Sequence, residues 1–193
     1  MHVAVVGCGH GRLDDIYSSI KQIEKSESVK VDLLLICGDF QAIRNKEELR
    51  TMACPEKYRN MESYYKYYNG EKKAPVMTIV IGGNHESSLH FYELYHGGWL
   101  ADNIYFLGYA GVVNFNGLRI CGLSGIFKKH DYSKGFYESP PFLEKSDQHS
   151  VYHSREFNVE QLCQLRSKVH IVMTHDWPTG IAFHGDVENL IRR

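Results

Sequence analysis

The sequence predicts a layered α/β protein whose first strands run parallel and whose later strands pair in mixed fashion. Three observations carry that prediction. Short apolar runs alternate with helical patterns through the N-terminal half, the rhythm of βαβ units. Asn116-Gly117 lies between two strand-like runs, the strongest short-range signal for a hairpin. Four apolar runs also end in loops that open on a metal-ligand type or an acid: Cys8 and His10, Asp39, Asn84 and His85, and His175. Open α/β sheets place their sites beyond the carboxyl ends of strands, so four such endings can meet at one point.

Residues 3–6 (VAVV) read as a buried strand that runs into Gly7-Cys8-Gly9-His10-Gly11. Leu13, Ile16, Ile20 and Ile23 then recur at helical spacing, with Asp14 and Asp15 in the first turn, where the helix dipole favours acids. Residues 33–37 form a second apolar strand, stopped by Gly38-Asp39. A helical region is predicted over 47–68, interrupted by Pro55. Residues 77–81 are a third strand, stopped by Gly82-Gly83-Asn84-His85-Glu86. Strands follow over 104–107, 111–115 and 118–123. From 124 to 157 the chain is polar and turn-rich, with Pro140-Pro141; a loop that long inside a compact domain is usually functional or disordered. Val159, Leu162 and Leu165 mark a short helix. A last strand over 169–173 runs into Thr174-His175-Asp176-Trp177-Pro178. No repeat or linker divides the 193 residues, so one domain is expected.

Composition narrows the function classes. The chain is 43% hydrophobic and 23% charged, with a net charge of −1. A chain of this length can bury roughly 70% of its unfolded surface without a disulfide or metal staple. No broad basic field exists of the kind that wraps duplex DNA, and no DNA partner is expected. No apolar run approaches the length of a membrane span, and residues 1–7 lack the basic start of a secretory signal. The five cysteines are odd in number, and Cys37 and Cys121 sit in apolar runs as small core residues. A reducing compartment, cytosol or nucleus, fits these features.

The strand-end residues make a coherent chemistry. A carboxylate such as that of Asp39 can bridge two divalent cations, while Asn84, His175 and Cys8 offer oxygen, nitrogen and thiolate. Two cations roughly 3.5–4 Å apart clamp the oxygens of a phosphoryl centre and activate water. His85 is then placed to protonate a leaving oxygen. Gly7-x-Gly9-x-Gly11 hints at a dinucleotide fold, but that fingerprint needs G-x-G-x-x-G and position 12 is arginine.

Cys8-Gly9-His10, Gly38-Asp39, Gly83-Asn84-His85-Glu86 and His175 together resemble the metallophosphoesterase superfamily, whose pattern runs D-x-H, GD, GNH[DE], H and GHxH. The stretches GCGHG, CGDFQAIRN, YYNGEKKAP, IGGNHES, LSGIFKKHDY and THDWP resemble, within it, the family that debranches lariat RNA. The implied fold is a layered mixed β-sheet sandwich with flanking helices. The implied activity is hydrolysis of the 2′–5′ linkage at the branch point of excised intron RNA. By that resemblance Asp39 bridges the metals, Cys8 and His10 serve one, Asn84 and His175 serve the other, and His85 is the general acid. Glu86 is expected to support the neighbouring histidine. The soft Cys8 thiolate, where most of the superfamily has aspartate, favours Fe²⁺ or Zn²⁺ over Mg²⁺; Mn²⁺ is a further candidate, with one or two ions per site.

Residues 124–157 resemble the family's lariat-recognition segment, and Lys128 and Arg155 are expected to contact the RNA. Tyr64, Tyr65, Tyr67 and Tyr68 point in different directions on a helix, so only some can face a substrate. Nuclear location follows from the substrate class alone. The 193 residues contain no GHxH. The sequence is therefore expected to be one incomplete catalytic domain lacking its last strands, with weakened metal binding. Two alternatives stay open: a non-catalytic RNA-binding or scaffold form, and a phosphoesterase acting on other esters.

Overall fold

A computed structural model describes residues 1–192. Two sheets lie face to face. The first has the order β1-β2-β3-β5-β4 and is built from β1 (Val3–Val6), β2 (Leu33–Cys37), β3 (Met77–Ile81), β4 (Gly98–Ala101) and β5 (Ile104–Phe106). All neighbours are parallel except the β4–β5 edge. The second sheet has three strands, β6 (Ala110–Phe115), β7 (Leu118–Leu123) and β8 (Ile171–Thr174); β6 and β7 pair antiparallel, β7 and β8 parallel. Asn116 and Gly117 both take positive φ in the β6–β7 turn, as a tight hairpin requires.

Strand periodicity of two explains the layers. Leu34, Ile36 and Val80 point to one side of the first sheet and pack with Leu13, Tyr17 and Ile20 of α1 (Leu13–Glu27). Leu33, Leu35, Ile79 and Ile81 point to the other side and pack against Ile120 and Met173 of the second sheet. β2, buried on both faces, accordingly reads as an unbroken apolar run, and β3 as one broken only by the buried Thr78. Of the predicted α1 stripe, Leu13 and Ile20 are buried, while Tyr17 takes an inward place and Ile23 is exposed.

Four expectations change. The helix predicted over 47–68 is two 3-10 turns, Glu47–Thr51 and Glu56–Tyr58, followed by α2 (Tyr64–Tyr68); Pro55, which lacks an amide donor, separates the turns. Outside 124–157, four elements were not predicted: α3 (Ser88–Glu93), β4, whose four residues are too short to show periodicity, a 3-10 turn over Ile181–His184 and α7 (Val187–Ile191). The segment 124–157 is not a bare loop. It holds α4 (Lys129–Tyr132) and α5 (Lys145–Ser150), and α6 (Glu156–Cys163) begins within it and packs on β6 and β7. Finally, β8 starts at Ile171 rather than 169 and runs through Thr174.

Candidate metal centre

The carboxyl ends of β1, β2, β3 and β8 converge. Beyond their strands the β1 and β2 loops keep pairing backbone to backbone: Gly9 N donates to Gly38 O (3.2 Å), His10 N to Asp39 O (2.5 Å) and Gly11 N to Phe40 O (2.9 Å). That pairing lays His10 over Asp39. Gly38 holds φ 106°, and a Cβ there would meet the His175 ring; one on Gly83 would meet Asp39. Both glycines are required because three loops approach to contact at this point.

Asp39 is the hub, 3% exposed. Its Oδ1 accepts from His85 N (2.9 Å) and lies 3.4 Å from His175 Nε2. Its Oδ2 lies 3.4 Å from His85 Nδ1 and 3.8 Å from His10 Nε2. Two donor groups thus share one carboxylate: Cys8, Asp39 and His175, and His10, Asp39 and His85, the atoms of each within 4.8 Å of one another. Asn84 Oδ1 lies 3.2 Å from His175 Nε2. The grouping differs from the one implied by resemblance, since Cys8 stands with His175 and His10 with His85.

The donor set fits divalent cations. His175 Nδ1 donates to the Cys37 carbonyl (2.7 Å), so the lone pair of Nε2 is turned toward the oxygens of Asn84 and Asp39. A carbonyl can only accept, which fixes the tautomer. Electron-pair donors facing one another in a half-buried site call for positive charge between them. Asp39 and the buried Glu86 also have no lysine or arginine within ion-pair reach among the described residues. Burial, and then the charge of Asp39, push Glu86 up to about 8 against the pull of three backbone amides. Burial, followed by Asp39, likewise raises the Cys8 thiol. A bound cation reverses both influences.

Glu86 acts differently from its expected support of His85. Its oxygens accept from the amides of Phe40 (2.7 Å), Gln41 (2.6 Å) and Gly83 (2.9 Å), clamping the β2 loop to the β3 loop. Gln41, which the sequence did not single out, pairs through its side-chain amide with His10 Nδ1 (3.2 Å). A lone glutamine in a loop carries no signal of such a role.

Segment 124–157 is tied to the centre by Phe127 N, which donates to Asp176 Oδ2 (2.6 Å) beside His175. Lys128 is exposed at the start of α4. Arg155 is not available to RNA, a correction of the expectation above. Only 1% exposed, its guanidinium binds Glu138 (2.6 Å) and the carbonyls of Asp131 (3.0 Å) and Ser150 (3.2 Å), stacked near Phe136 and Tyr137. Burying that charge is tolerable only because it is paired, and the pairing makes Arg155 a fastener of the segment. Of the four tyrosines, Tyr64 and Tyr67 are buried and Tyr68 is exposed.

The two-sheet fold gathers a shared buried aspartate, histidines, an asparagine and a thiol at its strand ends, and the calcineurin-like phosphoesterase family model matches residues 1–191. The chain belongs to that family, and membership implies divalent metal ions at the centre. Over its full length the chain is 57% identical to the lariat debranching enzyme of Danio rerio, 54% to that of Homo sapiens and 51% to that of Arabidopsis thaliana. It covers 34%, 35% and 46% of those proteins, and so spans less than half the length of each.

Proposed function

We propose that this chain carries a phosphodiesterase centre that hydrolyses the 2′–5′ linkage at the branch point of excised intron RNA. The observation that carries the proposal is the Asp39 carboxylate shared by two donor groups. The identity to lariat debranching enzymes supports the choice of ester.

Cys8, Asp39, His175 and Asn84 would hold one cation, and His10 with Asp39 a second; Fe²⁺ or Zn²⁺ suits the thiolate better than Mg²⁺. Bound there, the cations supply neutralisation of charge on the phosphoryl oxygens and activation of water. Water adds to phosphorus as the bond to the 2′ oxygen breaks, leaving a 2′-hydroxyl on one product and a 5′-phosphate on the other. His85, half exposed with Nδ1 against the Asp39 carboxylate, is positioned to pass a proton to the departing 2′ oxygen. Glu86 holds the loops of Asp39 and His85 in register. Lys128 is the phosphate contact of segment 124–157, and the proposed substrate class supports a nuclear location.

The role of His85 is testable by leaving group. His85→Ala should lose about 10²–10⁴-fold in kcat on branched RNA but far less on an aryl phosphodiester, whose phenolate needs no proton. Equal losses on both substrates would remove His85 from proton transfer.

A further inference from the structure

Two clefts share a wall. The nearer, about 340 Å³, opens from His10 and His85 and passes Tyr58 to reach Cys54 and Pro55. The farther, about 470 Å³, starts at the same Cys54 and Pro55 and ends between Arg59, Lys145 and His149. Cys54 and Pro55 line both, so the two clefts adjoin, with the reacting centre on one side and Arg59, Lys145 and His149 on the other.

The far cleft is rigidly built. Arg59 donates through Nε to the Cys54 carbonyl (3.0 Å) and through an Nη to that of Met52 (2.9 Å). These neutral partners fix the guanidinium without cancelling its charge. Gln148 pins α5 in place by donating to the carbonyls of Arg50 (2.9 Å) and Phe142 (2.9 Å). Lys145 and His149, one turn apart on α5, share the face of Gln148. Both are exposed, and the His149 Nδ1 donates to the Lys145 carbonyl (2.6 Å), leaving Nε2 open. Glu56 is the one acid of that lining. Along the near cleft the ring of Tyr58 is 59% exposed, with the Lys57 ammonium 4.8 Å from its centre.

A fixed guanidinium, an ammonium and an imidazole beyond an exposed aromatic ring match a single polynucleotide strand, with phosphates on the cations and a base on the ring. We propose that this path carries one single-stranded arm of RNA leading to the metal centre, its phosphates on Arg59, Lys145 and His149 and a base on Tyr58. The assignment rests on the RNA substrate proposed above.

The test compares metal-loaded wild type and Lys145→Ala on two branched RNAs, one with arms of about ten nucleotides and one trimmed to a single nucleotide per arm. For the long-armed RNA, Lys145→Ala should weaken binding and reduce the slope of log affinity against log salt by about 0.7. Tyr58→Ala should weaken the same RNA. Binding and cleavage of the trimmed RNA should be unchanged by Lys145→Ala. Equal effects on both RNAs, or none on either, would overturn the path. So would displacement of the long arm by polyglutamate at matching concentration, which would assign the cleft to an acidic peptide. If wild type fails to cut the branch while the Lys145 dependence of long-arm binding persists, the hydrolytic proposal falls and the strand path stands.

Discussion

Cys8 introduces a soft donor into a centre otherwise made of oxygen and nitrogen, and it does so beside His175 and Asp39. Under the proposed function, metal preference rests on that one side chain. Wild type reconstituted with Fe²⁺ or Zn²⁺ should hydrolyse branched RNA at least as well as with Mg²⁺, and Cys8→Asp should shift the preference toward Mg²⁺ and Mn²⁺. Metal-reconstituted rates for the two proteins check this, and an identical order of metals in both would contradict it. At this scale the sequence was most legible where chemistry and strand ends coincide. Cys8, His10, Asp39, Asn84, His85 and His175 each follow an apolar run, and the fold does bring them together. Glu86 and Gln41 were not legible in their actual roles, because their partners are backbone amides and a ring nitrogen set by loop geometry. Arg155 was misassigned for a related reason. A charge in a polar stretch looks the same in sequence whether it faces solvent or a buried glutamate.

Segment 124–157 shows what that buried charge does at the scale of elements. Arg155 ties the α4 turn, the 136–138 stretch and the end of α5 into one unit. Arg155→Ala should cost about 3–5 kcal/mol by leaving Glu138 buried and unpaired. Lys128→Ala should change stability by less than about 0.5 kcal/mol while weakening RNA binding and its salt slope. Urea melts and anisotropy titrations separate the two. Asp131 supplies the pH dependence. Burial opposes its charge, but hydrogen bonds from Lys134, His153 and Tyr137 outweigh burial and hold the carboxyl well below the usual range. A depressed carboxyl stabilises the fold above its unfolded value of about 3.9, and that contribution fades as pH falls toward the folded value. The urea midpoint of wild type should thus drop more steeply than that of Asp131→Asn between roughly pH 5 and pH 3; parallel slopes would exclude Asp131. Strand positions were legible from runs of apolar residues. The short helices of 124–157 were not, since four to six residues of mixed polarity show no period and are held by side-chain ties distant in sequence.

For the whole molecule, layer order follows from which strands are apolar on both faces, and the site follows from where those strands end. Three ends come from the first sheet and one, β8, from the second, so the centre exists only when the two sheets pack through Leu35, Ile81, Ile120 and Met173. A net charge of −1 suits the proposed recognition by cations at the centre, Lys128 and the path past Tyr58, which needs no broad basic surface. The central claim is that these converging strand ends form a centre for a 2′–5′ phosphodiester. It is tested most directly by incubating the metal-loaded protein with an RNA holding one labelled 2′–5′ branch among 3′–5′ linkages, beside Asp39→Asn. The predicted result is scission at the branch alone, giving a 5′-phosphate and a 2′-hydroxyl, and its loss in Asp39→Asn. Cleavage at 3′–5′ linkages as fast as at the branch, or branch scission that survives Asp39→Asn, would contradict the account.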